Sequence, residues 1–369
     1  MKRSPLLSLC VGALLLSGCL HTAASPQAAA QTLTPVHTEE LPMTAKFLEF
    51  SGNGRSFIVA GAYRFVHLRD ATTFEKLVAL KSGGELSAPD RFDNVLATQG
   101  AGYIDDNTWY FATFGDNIAV SIREIEPPRE LFKHNLVAVA DRPVIVNKNH
   151  LAYVETLLNW HDGTSYPVDQ AHLGWLGYTL VGDSQVMTYN PFSGHILFHD
   201  PVKQEKVVWD TGSPIQNVIV SADARYALAT SRQGKCGLWQ LPEKEQLGSC
   251  GRGGLGGKKW SWGAFQRDSR AVAVAADNKI WVYATQPFKL LMKAAMPERV
   301  TGLALSEGRL AAADNVGNIR AWDITENRLL GEHPGDPENG GGSSVLAFQP
   351  GGSRLAVSQN NQLLVFELR

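Results

Sequence analysis

Five times in this chain a tight turn is followed by arginine and then by a short apolar run. The segments are Asn53-Gly54-Arg55-Ser56-Phe57-Ile58, Asp223-Ala224-Arg225-Tyr226-Ala227-Leu228, Asp268-Ser269-Arg270-Ala271-Val272-Ala273, Glu307-Gly308-Arg309-Leu310-Ala311 and Gly352-Ser353-Arg354-Leu355-Ala356-Val357. Gly, Asn and Asp suit turn backbones, and the apolar residues behind them suit a buried strand. A second run lies downstream of each: Val66 to Asp70, Leu238 to Gln240, Ile280 to Tyr283, Ile319 to Asp323 and Leu364 to Glu367. The last four arginines, at 225, 270, 309 and 354, are 45, 39 and 45 residues apart. Units of this length cannot bury their apolar faces alone, and stacking them side by side can.

The step from Arg55 to Arg225 is 170 residues, or 42.5 for each of four units. Three units would be out of line with the other spacings. The chain is therefore expected to be an all-β propeller of four-stranded blades, eight in number, with seven blades and one inserted segment as the alternative. Three diverged units would lie within 95–209. Their strand-like runs include Trp109 to Ala112, His150 to Val154 and His195 to Phe198. The last unit offers only three strands, at 344–349, 354–358 and 363–368. Thr32 to His37 precede the first full unit and are expected to supply the fourth, which would close the ring and remove its open edges.

Asp314-Asn315-Val316-Gly317-Asn318-Ile319-Arg320-Ala321-Trp322-Asp323 resembles the b–c turn and c strand of the WD-repeat propellers. The resemblance is clear over 45–80 and 214–369. The family's Gly-His dipeptide occurs once, at Gly194-His195. Trp-Asp occurs twice, at Trp209-Asp210 and Trp322-Asp323, so the family's His–Asp hydrogen-bond network is not implied throughout.

The N-terminus reads as an export signal. Lys2 and Arg3 are basic, and Leu6 to Leu16 is an apolar stretch too short to span a bilayer. Leu16-Ser17-Gly18-Cys19 resembles the lipobox of bacterial lipoproteins, which implies removal of 1–18 and lipidation of Cys19 by a diacylglycerol and an N-acyl chain. Two or more chains anchor a protein stably. Leu20, in place of the Asp that retains such proteins at the inner membrane, points to the outer membrane. Residues 19–32 carry no charge and are rich in Ala, Ser, Pro and Gln, as a tether is. The propeller domain is then 33–369.

Cys10 leaves with the signal, so Cys236 and Cys250 remain for an oxidising compartment. Cys236-Gly-Leu-Trp-Gln-Leu and Glu245-Gln-Leu-Gly-Ser-Cys250 read as two strands around Pro242-Glu243-Lys244. A hairpin centred on Glu243 sets Cys236 opposite Cys250, at a spacing a disulfide accepts. Two free thiols are the alternative.

The formal net charge of −2, without a basic block, argues against nucleic acid. No residue set marks a catalytic site, a cofactor or a metal. His195 and His199 lie four apart on a strand, roughly 13 Å, too far for one ion. Gly251 to Lys259 is Gly-rich but sits between strands, where a phosphate loop would precede a helix. The long connections, near 81–94, 251–259 and 332–343, are expected on one face of the ring. Asp90, Arg91, Arg252, Lys258, Lys259, Asp336 and Glu338 would populate that face, and lengthened loops on a rigid scaffold are where binding resides. Trp109, Trp160, Trp175 and Phe192 are further candidates, as core or as anchors.

These features point to a monomeric, non-catalytic interaction scaffold, tethered to the outer membrane, facing the periplasm and holding an envelope protein. Asp200-Pro201 through Trp209 resembles the repeat of the propeller lipoprotein in the outer-membrane barrel-assembly machine. The alternative is an enzyme or ligand binder using the central channel, as quinoprotein dehydrogenases and propeller lactonases do.

Overall fold

The computed structural model describes residues 31–369 except 44, 62–64, 82–97, 114–118, 136–143, 154, 169–176, 190–193, 213, 232–235, 242–244, 251–259 and 337–341. The expected sites on residues 1–30, Cys19 among them, lie outside this set.

The strands form eight sheets in a closed ring, antiparallel but for one added strand, as the turn spacing predicts. Blade 1 spans 45–81, blade 2 98–135, blade 3 145–167 and blade 4 177–210. Blade 5 spans 215–249, blade 6 260–295 and blade 7 300–333. Blade 8 takes three strands from 345–367 and its outermost from Pro35–Glu40. In each blade the strands are a, b, c and d from the axis outward. The a strands of neighbouring blades touch, and the ring closes where Ala45–Phe50 of blade 1 meets Val345–Phe348 of blade 8.

The b and c strands are apolar at successive positions because both sheet faces are covered. Ala271, Ala273 and Ala275 pack toward blade 7, whereas Val272, Val274 and Ala276 pack toward blade 5. Eight apolar clusters result among the described residues, one at each interface between blades. Between blades 3 and 4 the described residues buried together are Ala152, Leu157, Val168 and Val186. Two of the five arginines that mark the repeat bridge neighbouring blades. Arg309 of blade 7 donates to the carbonyls of Gly352 (2.9 Å) and Leu368 (2.8 Å) in blade 8. Arg354 of blade 8 donates to Ala71 O in blade 1.

Closure by the N-terminus is observed, with a shift. The closing strand is Pro35–Glu40 rather than 32–37, and it pairs antiparallel with Gln362–Glu367. Gln31–Thr32 belongs instead to blade 7, as a fifth strand parallel to Arg328–His333. Leu33 between them is buried in the blade 7–8 core, and that burial sets the crossing point.

A charged clasp locks the closure. Glu39 on the N-terminal strand accepts from both guanidinium nitrogens of Arg69 in blade 1, at 2.6 and 2.8 Å. Lys76 adds a contact at 3.0 Å. Arg69 is only 1% exposed and also donates to Phe74 O. Burial alone would raise the Glu39 carboxyl, but hydrogen bonds and charge from Arg69 and Lys76 outweigh it and hold it at about 2. Burial, with the same two cations, pushes the neighbouring His67 down to about 4, so its neutral ring accepts from Arg69.

Outer strands are edges, and an unpaired edge invites other strands. Most here are broken by a β-bulge whose extra residue is leucine: Leu77, Leu131, Leu247, Leu291 and Leu330 in blades 1, 2, 5, 6 and 7. Bulges bend a strand and interrupt its ladder.

Candidate functional site

Two places on this scaffold could do chemistry or binding: the face that carries the d–a connections, and the channel mouth on the opposite face. Which connections share a face is settled by hydrogen bonds. In blade 6, Asn278 in the b–c turn receives a hydrogen bond from Met296 N and donates to Met296 O, in the connection to blade 7. In blade 7, Gly335 N donates to Asn318 Oδ1 (2.9 Å), and Asn315 N donates to Arg299 O. Asp314 holds that turn, accepting from Val316 N, Asn318 N and Asn318 Nδ2. It also accepts from Glu298 N, with no histidine among these partners.

Chain length varies on this face alone. The d–a connections run from four residues, at 211–214, 296–299 and 41–44, to 16 residues at 82–97. Every b–c, a–b and c–d connection has two to five residues. The expectation of one loop-rich face thus holds. Of the residues expected to populate it, Asp336 is described and exposed, in the connection between blades 7 and 8. Asp90, Arg91, Arg252, Lys258, Lys259 and Glu338 lie outside the described residues. Exposed Lys279, Glu298 and Arg299 on the same face were not anticipated. The short loop signal Met-Pro-Glu-Arg at 296–299 could have shown two of them.

Cys236 and Cys250 form the expected disulfide, with Cα atoms 5.0 Å apart. It joins the start of the c strand to the end of the d strand in blade 5, at the root of this face. The hairpin register differs near its turn. Gln240, not Leu241, pairs with Glu245, and the bulge at Leu247 restores the register before the cysteines.

The opposite mouth of the channel carries a charged group that the sequence did not reveal. Glu49 lies on strand a of blade 1, and its Oε2 accepts from Tyr103 N of blade 2 at 3.3 Å. Gly102 leaves room for it, since a Cβ there would stand 2.8 Å from that oxygen. In the next turn, Gly52 is flanked by Asp106 Oδ1 of blade 2 and Arg267 Nη2 of blade 6, and a Cβ would collide with both. Asp106 also accepts from Asn53 N at 2.8 Å. Blades 7 and 8 separate blade 6 from blade 1 around the ring, so Arg267 reaches blade 1 by crossing the axis. Glu49 is exposed, with Tyr103 N and Arg267 acting on its carboxylate. Desolvation raises its carboxyl to about 7, against the opposing pull of Tyr103 N–H and Arg267.

The diverged aromatic residues divide. Trp109 is buried core, and Trp160 packs half-buried against Phe132 and stacks on His161. Trp175 and Phe192 lie outside the described residues. His195 and His199 both sit on the c strand of blade 4, and no group of three metal-ligating side chains occurs among the described residues.

No family model matches the chain, and no curated protein matches it in sequence. Solved structures do. The C-terminal WD40 domain of Sif2 aligns over 92% of this chain and 99% of its own, with a TM-score of 0.70 and 12% identity. The computationally designed Ika8 protein aligns over 92% of this chain and 100% of its own, with a TM-score of 0.66 and 15% identity. Identity this low speaks for the fold alone: the chain is a WD40-like β-propeller of eight four-stranded blades.

Proposed function

We propose that this propeller is a non-catalytic protein-interaction scaffold that holds its partner on the face of the d–a connections. The observation that carries this is the confinement of length variation to one face. A ring whose other turns stay at two to five residues has varied only where a partner would be read. The rest of the proposal is drawn from the N-terminal sequence: Cys19 carries lipid, the uncharged tether follows, and the propeller faces the periplasm from the outer membrane, where the partner is an envelope protein. The test is crosslinking from envelope extracts with variants that shorten these connections. Shortening 334–344 to the four-residue length found at 296–299 should abolish capture and leave the melting temperature within a few degrees. Capture that survives this and equivalent shortening of 82–97 and 251–259 would overturn the proposal.

A second reading has one observation in its favour. Glu49, Asp106 and Arg267 come from three blades to one channel mouth, and a small polar ligand could bind there. Glu49→Gln and Arg267→Ala would then remove a ligand-induced rise in melting temperature that the parent shows.

A further inference from the structure

The outer strand of blade 4, Glu205–Asp210, differs from every other outer strand in the ring. It pairs with His195–Asp200 through six consecutive residue pairs, without a bulge. The outer strands of blades 1, 2, 5, 6 and 7 are bulged at leucine, and that of blade 8 is bulged at Val36. Blade 3 has an outer strand of only three residues, Ser165–Pro167, ending in proline. Among the described residues, blade 4 alone therefore presents an outer edge of six residues unbroken by a bulge and free of proline, guarded only by the charges of Glu205, Lys206 and Asp210.

Its side chains are also unusual. Trp209 points into the blade 4–5 core, so alternation turns Lys206, Val208 and Asp210 toward blade 3. Val208 is 62% exposed, with Val207 at 39%. Lys206 and Asp210 are exposed on either side of it; the Asp210 carboxylate stands 3.9 Å from His195 Nε2 and accepts from Gly212 N.

We propose that this edge pairs with the same edge of a second copy of the chain, antiparallel about a two-fold axis at Val208. Symmetry requires the central residue of such a pair to face itself. Centring on Val208 sets Val208 opposite its own copy and each Lys206 opposite the other copy's Asp210. On the reverse side Val207 meets Trp209. The segment Lys206-Val207-Val208-Trp209-Asp210 is thus self-complementary, with apolar pairs in the middle and opposite charges at both ends. Opposed charges and apolar residues are the favourable cross-strand pairs. Strand addition already occurs in the chain at the outer edge of blade 7, where Gln31–Thr32 pairs with Gly331 and Glu332, the regular stretch beyond the Leu330 bulge. The interface would tie two propellers rim to rim and leave both loop faces open, in place of the monomer expected from the sequence.

The test is a charge-reversal cycle on the intact purified chain, followed by sedimentation velocity across a range of concentrations. The parent should show a concentration-dependent monomer–dimer equilibrium. Lys206→Asp and Asp210→Lys should each raise the dimer dissociation constant by about ten-fold or more, since two symmetric pairs turn repulsive. The double reversal should restore it. These side chains are exposed, so circular dichroism should be unchanged. As a second reading of the register, Val208→Cys should form a disulfide-linked dimer on mild oxidation and Val207→Cys should not. A parent that stays monomeric at every concentration overturns the proposal. So does a dimer indifferent to both single reversals, or a double variant no better than either.

Discussion

Removing Glu39 should open the ring at its seam. Arg69 is 1% exposed and has both of its terminal guanidinium nitrogens on Glu39, at 2.6 and 2.8 Å. Taking away one partner of a buried pair costs about 3–5 kcal/mol, because the remaining charge is stranded. Here the cost is smaller: the Glu39 side chain is 24% exposed, and Arg69 keeps the carbonyl of Phe74. Glu39→Ala should therefore lose about 2–3 kcal/mol in urea unfolding at pH 7. Lys76 touches the same carboxylate at 3.0 Å, but its side chain is 41% exposed, and Lys76→Ala should lose less than about 1 kcal/mol. If the stranded charge is the cause, removing it as well should recover stability. The double variant Glu39→Ala, Arg69→Met should be more stable than Glu39→Ala alone. Equal losses for the Glu39 and Lys76 variants, or additive losses in the double variant, would refute this reasoning. The pH dependence follows from the same contacts. Glu39 is held at about 2, below its usual range, so the clasp's contribution persists through neutral pH and is lost as pH falls from about 4.5 toward 2. His67, lowered to about 4, adds a loss as pH falls from 6.5 toward 4, because the unfolded chain binds that proton first.

Other outcomes follow from particular contacts. The disulfide closes a loop of 14 residues, and replacing both cysteines by serine should cost about 3 kcal/mol, matched by unfolding the parent with reductant present. Glu49 is raised to about 7, so the folded chain binds more proton than the unfolded chain between about 4.5 and 7, and stability falls as pH rises through that window. Glu49→Gln should thus gain in melting temperature relative to the parent at pH 8 and not at pH 4.5; a gain that is flat or reversed with pH would contradict the raised-carboxyl account. Deleting 31–40 removes the outer strand of blade 8, the fifth strand of blade 7 and the clasp together, and should lower the melting temperature far more than Glu39→Ala does.

Local sequence carried the blade and long-range assembly did not. The arginines announce the repeat because each sits where an a–b turn meets strand b, and their spacing favoured eight units over seven without excluding seven. Divergence within 95–209 removed the arginine but left the apolar runs, so Thr108–Thr113 and His150–Tyr153 were legible as strands. The bulged outer strands had a signal that passes easily for ordinary strand: leucine in the second or third place, as in Lys76-Leu77, Glu130-Leu131 and Gln246-Leu247. The split of the N-terminal segment between two blades depends on where Leu33 is buried, which no local pattern states. The channel mouth was invisible for a stronger reason. Glu49 and Arg267 are far apart in sequence and lie on blades that are not neighbours, so only ring closure brings them together. One sign was available: Glu49 is a carboxylate in the apolar strand Phe47-Leu48-Glu49-Phe50.

The claim that the partner is held on the face of the d–a connections is open to a direct comparison of the two faces. A photoreactive residue placed at Glu298 samples that face, and one placed at exposed Arg270 samples the face of the a–b turns. Irradiation in intact cells should give one discrete crosslinked species from position 298 and none from position 270. The same species from position 270 alone, or from both positions equally, would contradict the account.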